Sequence, residues 1–330
     1  MACLTNYIGV YGHCTAGTPK SGLYINKNLA GISLKKAANI TEGEIITGVD
    51  LLNQAIDNGI QLTRSAIVSE MLGTVRFNSI ISSGQYGKYE PDFTNTDNYL
   101  PATAANRGLK FELDNECRLS SLYVKRVSVL TNSTITGGTL TITDGGTVTT
   151  YTFDATAKVI TYVETNYKAQ SGTITITLDN TSISVADSDL YYSGGCGYCC
   201  NTCSGNCGSG LSVWGWDGTN NTGTTYGLSA LVNVICDEEK FFCEISSIPD
   251  LAWMALYKAG IFAFEYAILS NRINAFTNYG QEQVSAQIEQ WEQLFEAAKK
   301  KVVAQLPKYL LSIDNCCIEC NSSQWQTSIP

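Results

Sequence analysis

The stretch from Pro249 to Leu306 limits what this chain can become, because it is long, apolar and almost free of helix breakers. Asp250 follows Pro249 and can cap a helix start. Leu251, Met254, Ala255, Phe262, Tyr266 and Leu269 recur at three- and four-residue spacing, which predicts one apolar stripe. The run from Leu251 to Leu269 approaches membrane-spanning length but contains Lys258 and Glu265. A charge at the bilayer centre costs roughly 2.5–3.5 kcal/mol on insertion scales, so the expectation is a buried core helix and no membrane span. Asn278 and Gly280 interrupt the pattern. A second helix is predicted from about Glu282 to Leu306, with Val284, Ile288, Trp291, Leu294, Phe295, Ala298, Val302 and Leu306 on one face. Pro307 is expected to end it. Two long helices with a short polar break between them predict an antiparallel hairpin.

Upstream, residues 1–40 read as an extended arm with two strand-like pieces, Leu23-Tyr24-Ile25 and Ile32-Ser33-Leu34. Thr41-Glu42-Gly43-Glu44 has the pattern of a capping box, which predicts a first helix over residues 41–74. Its stripe is Ile45, Val49, Leu52, Ile56, Ile60, Ile67 and Met71. Gly48 and Gly59 each weaken such a helix by roughly 1 kcal/mol relative to Ala, and would allow close helix packing. From residue 75 to 193 the signal becomes β. Leu109 to Leu113, Thr139 to Thr143 and Thr173 to Leu178 alternate, and Asp144-Gly145-Gly146 reads as a turn. Short alternating strands of this kind predict an antiparallel sandwich. Residues 194–224 read as a Cys- and Gly-rich loop, 225–310 as the C-terminal helical hairpin, and 311–330 as a Cys-containing tail. The expected fold class is α+β: a discontinuous helical domain from both termini with an inserted antiparallel β-sandwich.

Only 15% of the 330 residues are charged, against a usual share of about 25%. A surface rich in Thr, Ser, Asn and Gly but poor in charge suits an assembly with much subunit contact. The net charge of −9 argues against binding a phosphate backbone, so no sequence-specific nucleic acid is expected. The basic run Lys299-Lys300-Lys301 sits at a helix C-terminus, where it complements the dipole. Met1 to Asn6 has neither a basic region nor an apolar run, so no secretory signal is expected. The 13 cysteines are then made in a reducing compartment, where stable disulfides are uncommon unless oxidation follows later.

The sharpest local motif is the cysteine set Cys196, Cys199, Cys200, Cys203 and Cys207. Two abutting C-x-x-C units can grip a tetrahedral metal. The spacing misses a ferredoxin run by one residue, because position 202 is Thr202. Few large apolar side chains lie near this loop, so it is expected to be braced by disulfides or by structural zinc, and to do no redox chemistry. No other cofactor is expected. His13 beside Cys14 could form a nucleophile pair, but neighbours on an extended strand point to opposite faces. No nucleophile elbow, P-loop, dinucleotide fingerprint or His-Glu-x-x-His occurs, and no catalytic residue is assigned. Glu238 and Glu239 read as a solvated face. Trp214 and Trp216 could stack on sugars, or could belong to a core or an interface.

Ser21-Gly22-Leu23-Tyr24-Ile25-Asn26 with Leu29-Ala30-Gly31-Ile32-Ser33-Leu34-Lys35 resembles the start of a family of virion structural proteins. These belong to tailed phages of Bacteroidota, crAss-like phages included. Asp250 to Trp253, Lys258 to Ile261 and Ser270 to Asn274 resemble the same group. The resemblance implies a virion subunit of the head–tail connector or tail, made in the host cytoplasm, in a cyclic oligomer with neighbouring virion proteins. A six- or twelve-fold ring is expected, with interface residues Leu23, Tyr24, Ile25, Trp253, Trp291 and Trp325. The alternative expectation is a receptor- or glycan-binding module.

Overall fold

Thr47, not Thr41, opens the first long helix. In the computed structural model, residues 3–12, 17–42, 44–89, 95–103, 106–113, 117–179, 183–193, 211–269, 281–313 and 317 are described. The chain forms two compact units: one mainly from residues 1–75 with 238–312, the other from 76–237 with 313–320. The fold is α+β, with helices from both ends and a β insertion.

The helical unit starts with β1 (Ile8–Gly9) and β2 (Leu23–Tyr24), which pair in parallel, then α1 (Ile25–Asn28) and α2 (Leu34–Ile40). These segments correct the expectation of a separate arm. Leu4, Tyr7, Ile8, Val10, Leu29, Ile32, Ala37 and Ile40 are buried in the chain itself. Ser33 does not continue a strand; it caps α2 by accepting from the Lys36 N–H. Cys3 is disulfide-bonded to Cys243, and the Tyr7 hydroxyl donates to the Ser246 carbonyl at 2.8 Å. Burial pushes the Tyr7 phenol up to about 12.

Thr41 closes α2, with its N–H and hydroxyl both donating to the Ala37 carbonyl. It therefore cannot open the next helix. The capping box stands six residues on: the Thr47 hydroxyl oxygen accepts from the Asp50 N–H, and Asp50 accepts from the Thr47 N–H at 2.9 Å. It opens α3 (Gly48–Met71), and Ile45 lies outside the helix, fully exposed. Gly59 meets α5 (Pro249–Leu269) so closely that a Cβ would stand 2.4 Å from the Ala255 carbonyl oxygen and 2.6 Å from the Ala259 nitrogen. Gly48 is similarly tight against Ala37 and Ala38.

Before α5 comes α4 (Glu238–Ile245), and after it α6 (Gln281–Ile313). Contacts between Asp250 and Lys301, Lys258 and Glu292, and Phe264 and Trp291 run in opposite senses along α5 and α6, so the hairpin is antiparallel. Two details differ from the sequence reading. The buried face of α5 includes Leu256, Ala263, Phe264 and Ala267, whereas Leu269 is exposed. A helix apolar nearly all round does not reveal its inner face by period alone. And α6 passes through Pro307: buried Leu306 and Leu310 and the Tyr309 hydroxyl on the Glu244 carbonyl hold the turn that lacks the proline N–H. The helix Pro249–Leu269 has the length and composition of a membrane span, with 61% of its most apolar window buried inside the chain.

The β unit contains β3 (Ile80–Tyr89), β4 (Tyr99–Leu100), β5 (Arg107–Leu113), β6 (Ser120–Val129), β7 (Ile135–Asp144), β8 (Thr147–Ala155), β9 (Thr161–Lys168) and β10 (Thr173–Leu178). It continues with β11 (Val185–Ala186), β12 (Ser188–Ser193), β13 (Leu211–Trp216), β14 (Asn221–Thr222) and β15 (Leu228–Cys236). Six strands form one sheet in the order β14-β13-β5-β10-β7-β8, and five form another in the order β12-β3-β15-β6-β9. Their inner faces share one core, including Leu109, Phe111, Ile142 and Ile176 from the first and Leu122, Val124, Val232 and Val234 from the second. The sandwich thus extends beyond residue 193. Leu228–Cys236, assigned from sequence to the helical end, is a central strand, and its near-continuous burial explains the unbroken apolar run.

Asp144 ends β7 and organises the corner. Its carboxylate accepts from the Gln170 and Ser171 N–H groups at 2.6 and 2.8 Å, from the Ser171 hydroxyl, and from the Tyr167 hydroxyl at 2.9 Å. Burial alone would raise its pKa, but these four donors hold it below the ordinary carboxylate value.

Two predictions follow from these contacts. Gly59→Ala should destabilise the protein by about 1–3 kcal/mol through overpacking, although Ala is the better helix former by about 1 kcal/mol. Denaturant titration reads the sign, and a stabilised variant would show that α3 and α5 do not approach so closely. Asp144→Asn should cost roughly 1–3 kcal/mol at pH 7. A folded-state pKa below the unfolded one gives stability that is present above about pH 4 and lost as pH falls through the folded value. The gap between wild type and Asp144→Asn should therefore narrow in acid; a gap independent of pH would rule out the ionised carboxylate as the acceptor.

Candidate binding face

Trp214 and Trp216 are not in a loop. They alternate on β13, so both side chains leave the outer face of the six-stranded sheet while Val213 and Gly215 turn inward. The pairing registers define rows across that face. One runs Trp214, Lys110, Thr175, Thr143, Val148, and the next runs Trp216, Gly108, Thr177, Thr141, Thr150. At about 4.8 Å between strands, each row is roughly 20 Å long. Lys110 Nζ lies 5.6 Å from both indole rings and 3.6 Å from Glu112 Oε2. The face is therefore a ladder of threonines, with Thr141, Thr143, Thr150 and Thr175 at least partly accessible and Thr177 buried, an aromatic pair at one end and the Lys110–Glu112 ion pair beside it. Such a face can stack the apolar side of a sugar ring and offer hydroxyls to it, or pack against a flat uncharged partner. The T-x-T repeats of β7 and β10 were the signal in the sequence; the register that places Lys110 between two tryptophans was not.

The other sequence candidates fall elsewhere. Ile25 is fully buried in its own unit, and Leu23 and Tyr24 are half-buried. Tyr24 packs edge-on to Tyr11 at 5.4 Å, with Lys27 over both rings. Trp291 is buried against Phe264 and beside Gly260, and Trp253 is half-buried, stacked on Tyr257 at 5.7 Å. Ile25 and Trp291 are thus core residues of this chain, which corrects their reading as interface residues. Trp325, His13, Cys14 and the set Cys196, Cys199, Cys200, Cys203 and Cys207 lie outside the described residues. Among the described residues, no group of three His, Cys, Asp or Glu could hold a metal. Cys236 is disulfide-bonded to Cys317.

Glu238 and Glu239 are not a solvated pair. They start α4 and grip Arg64 of α3, with Nη2 to Glu238 Oε1 at 2.7 Å and Nη1 to Glu239 Oε1 at 2.9 Å. The guanidinium carbon also lies 5.0 Å from the Phe242 ring centre. Burial works to raise the Glu239 pKa, but the Arg64 hydrogen bond and charge bring it below the usual value. This is a structural clamp between α3 and α4.

No protein-family model and no curated protein matches the chain. Among solved structures, the D1-D2-D3 domains of the flagellar cap protein FliD from Escherichia coli align at 13% identity over 75% of this chain and 73% of that one, with a TM-score of 0.14. A score that low carries no argument about fold or function.

Proposed function

We propose that this chain is a structural subunit of a tailed-phage virion, a ring protein of the head–tail connector or tail. The observation that carries the reading is the outer face of the six-stranded sheet. It is rich in threonine, and its two central rows hold one charged side chain, Lys110. Such a surface is made to be covered rather than to repel neighbours. The resemblance of Ser21 to Lys35 and Asp250 to Asn274 to virion proteins of Bacteroidota phages supports the same reading, as does the low charged share of 15%. Homo-oligomers close by symmetry, and a ring closes when the contact is heterologous. Native mass spectrometry should find a closed six- or twelve-subunit assembly, alone or with neighbouring virion proteins. A native-like single chain at micromolar concentration under both conditions would overturn the reading.

The Trp214 and Trp216 pair favours a second reading, a module that binds host surface glycans through this face. Trp214→Ala with Trp216→Ala should then abolish retention on immobilised host polysaccharide while leaving the melting curve near that of wild type. Unchanged retention, or none in the wild type, would remove this alternative.

A further inference from the structure

We infer that β8 is a contact between two copies of this chain, separate from any ring contact, pairing antiparallel with β8 of a second copy about a two-fold axis at Thr150. The inference rests on the strand edge and not on the virion reading.

β8 is the outermost strand of its sheet. Gly145 and Gly146 both have positive φ, 54° and 96°, as a two-residue type I′ hairpin turn requires. That turn makes Asp144 and Thr147 a hydrogen-bonded pair, so Thr149, Tyr151 and Phe153 also bond to β7. The N–H and C=O groups of Val148, Thr150 and Thr152 consequently point away from the sheet, and the side chains of these three residues are exposed.

Edge strands are ordinarily guarded by lysine, proline, a bulge or brevity. The other edges here have such guards. β14 is two residues long, β12 carries a register shift, and β9 has Glu164, Lys168 and a positive-φ Asn166. β8 reads Thr-Val-Thr-Thr-Tyr-Thr-Phe-Asp-Ala, without Lys, Arg or Pro. Its one charge, Asp154, already accepts from the Gly137 N–H of its own hairpin.

A second copy fits this edge by charge and by register. With the axis at Thr150, Val148 meets the partner's Thr152, Thr150 meets the partner's Thr150, and Asp154 falls opposite the partner's Gly146. Each rung puts outward N–H and C=O groups against their complements, Thr–Thr and Thr–Val pairs are favourable across strands, and no like charges meet. The threonine rows of the outer face would continue unbroken across the axis, giving one sheet with a tryptophan pair at each far end.

The test compares assembled masses by sedimentation. Thr150→Lys sets two ammonium groups at the axis and should halve the wild-type mass while leaving far-UV circular dichroism unchanged. Thr173→Lys, exposed on the same face but on the inner strand β10, should keep the wild-type mass. Thr150→Cys should give an interchain disulfide joining the two introduced thiols, found by peptide mass spectrometry, and this arm holds even if the lysine variant fails to fold. A single-chain wild type at tens of micromolar, equal masses for wild type and Thr150→Lys, or no interchain cross-link under oxidising conditions overturns the inference.

Discussion

The helical unit depends on a backbone contact between segments far apart in sequence. At Gly59 the two helices α3 and α5 approach so closely that no side chain fits between them. One comes from before the β insertion and the other from after it, so neither can complete its core until the chain returns. Loop closure grows only logarithmically, each doubling adding about 0.6 kcal/mol, so a long insertion is tolerable if it folds by itself. The sandwich has its own continuous core around Leu109, Phe111, Val124 and Val232, as such folding requires. Arg64 and Cys3 add further ties between the two chain ends within the same unit, through Glu238, Glu239 and Cys243.

The architecture was legible in the sequence because it rests on period and punctuation. Threonine alternating with Leu, Ile or Val specifies strands half-exposed on one face, and Asp144-Gly145-Gly146 marks a hairpin wherever it occurs. Where the reading failed, long-range partners decided. Thr41 looks like a helix cap, but the backbone of Ala37 claims it, and the cap stands at Thr47 instead. The inner face of α5 cannot be read from a helix that is apolar nearly all round. Leu228–Cys236 looks like the run-in to a helix until β3 and β6 are seen on either side of it. Glu238 and Glu239 look like solvent-facing acids because nothing local announces Arg64.

Charge is scarce in this chain, and a few charged side chains are turned inward as fasteners. Asp144 gathers a corner, and Asp237 takes the Ser121 hydroxyl at 2.6 Å and Lys168 Nζ at 2.7 Å. Lys258 holds both oxygens of Glu292 across the hairpin. Hydroxyls cover the outer sheet face in place of charges. They satisfy water when the face is free, and cost far less to desolvate than ions when it is covered.

Two of the disulfides have a mechanical meaning. Cys3 joins Cys243, and Cys236 joins Cys317. Tension entering at residue 3 can therefore cross to residue 243, run back along the backbone to residue 236, and leave at residue 317. Both the sandwich strands up to β15 and the long hairpin of α5 and α6 lie off this covalent path. Pulled by those points, the oxidised protein would bear load as a short inextensible link, while the reduced one would have to unravel before it stretched.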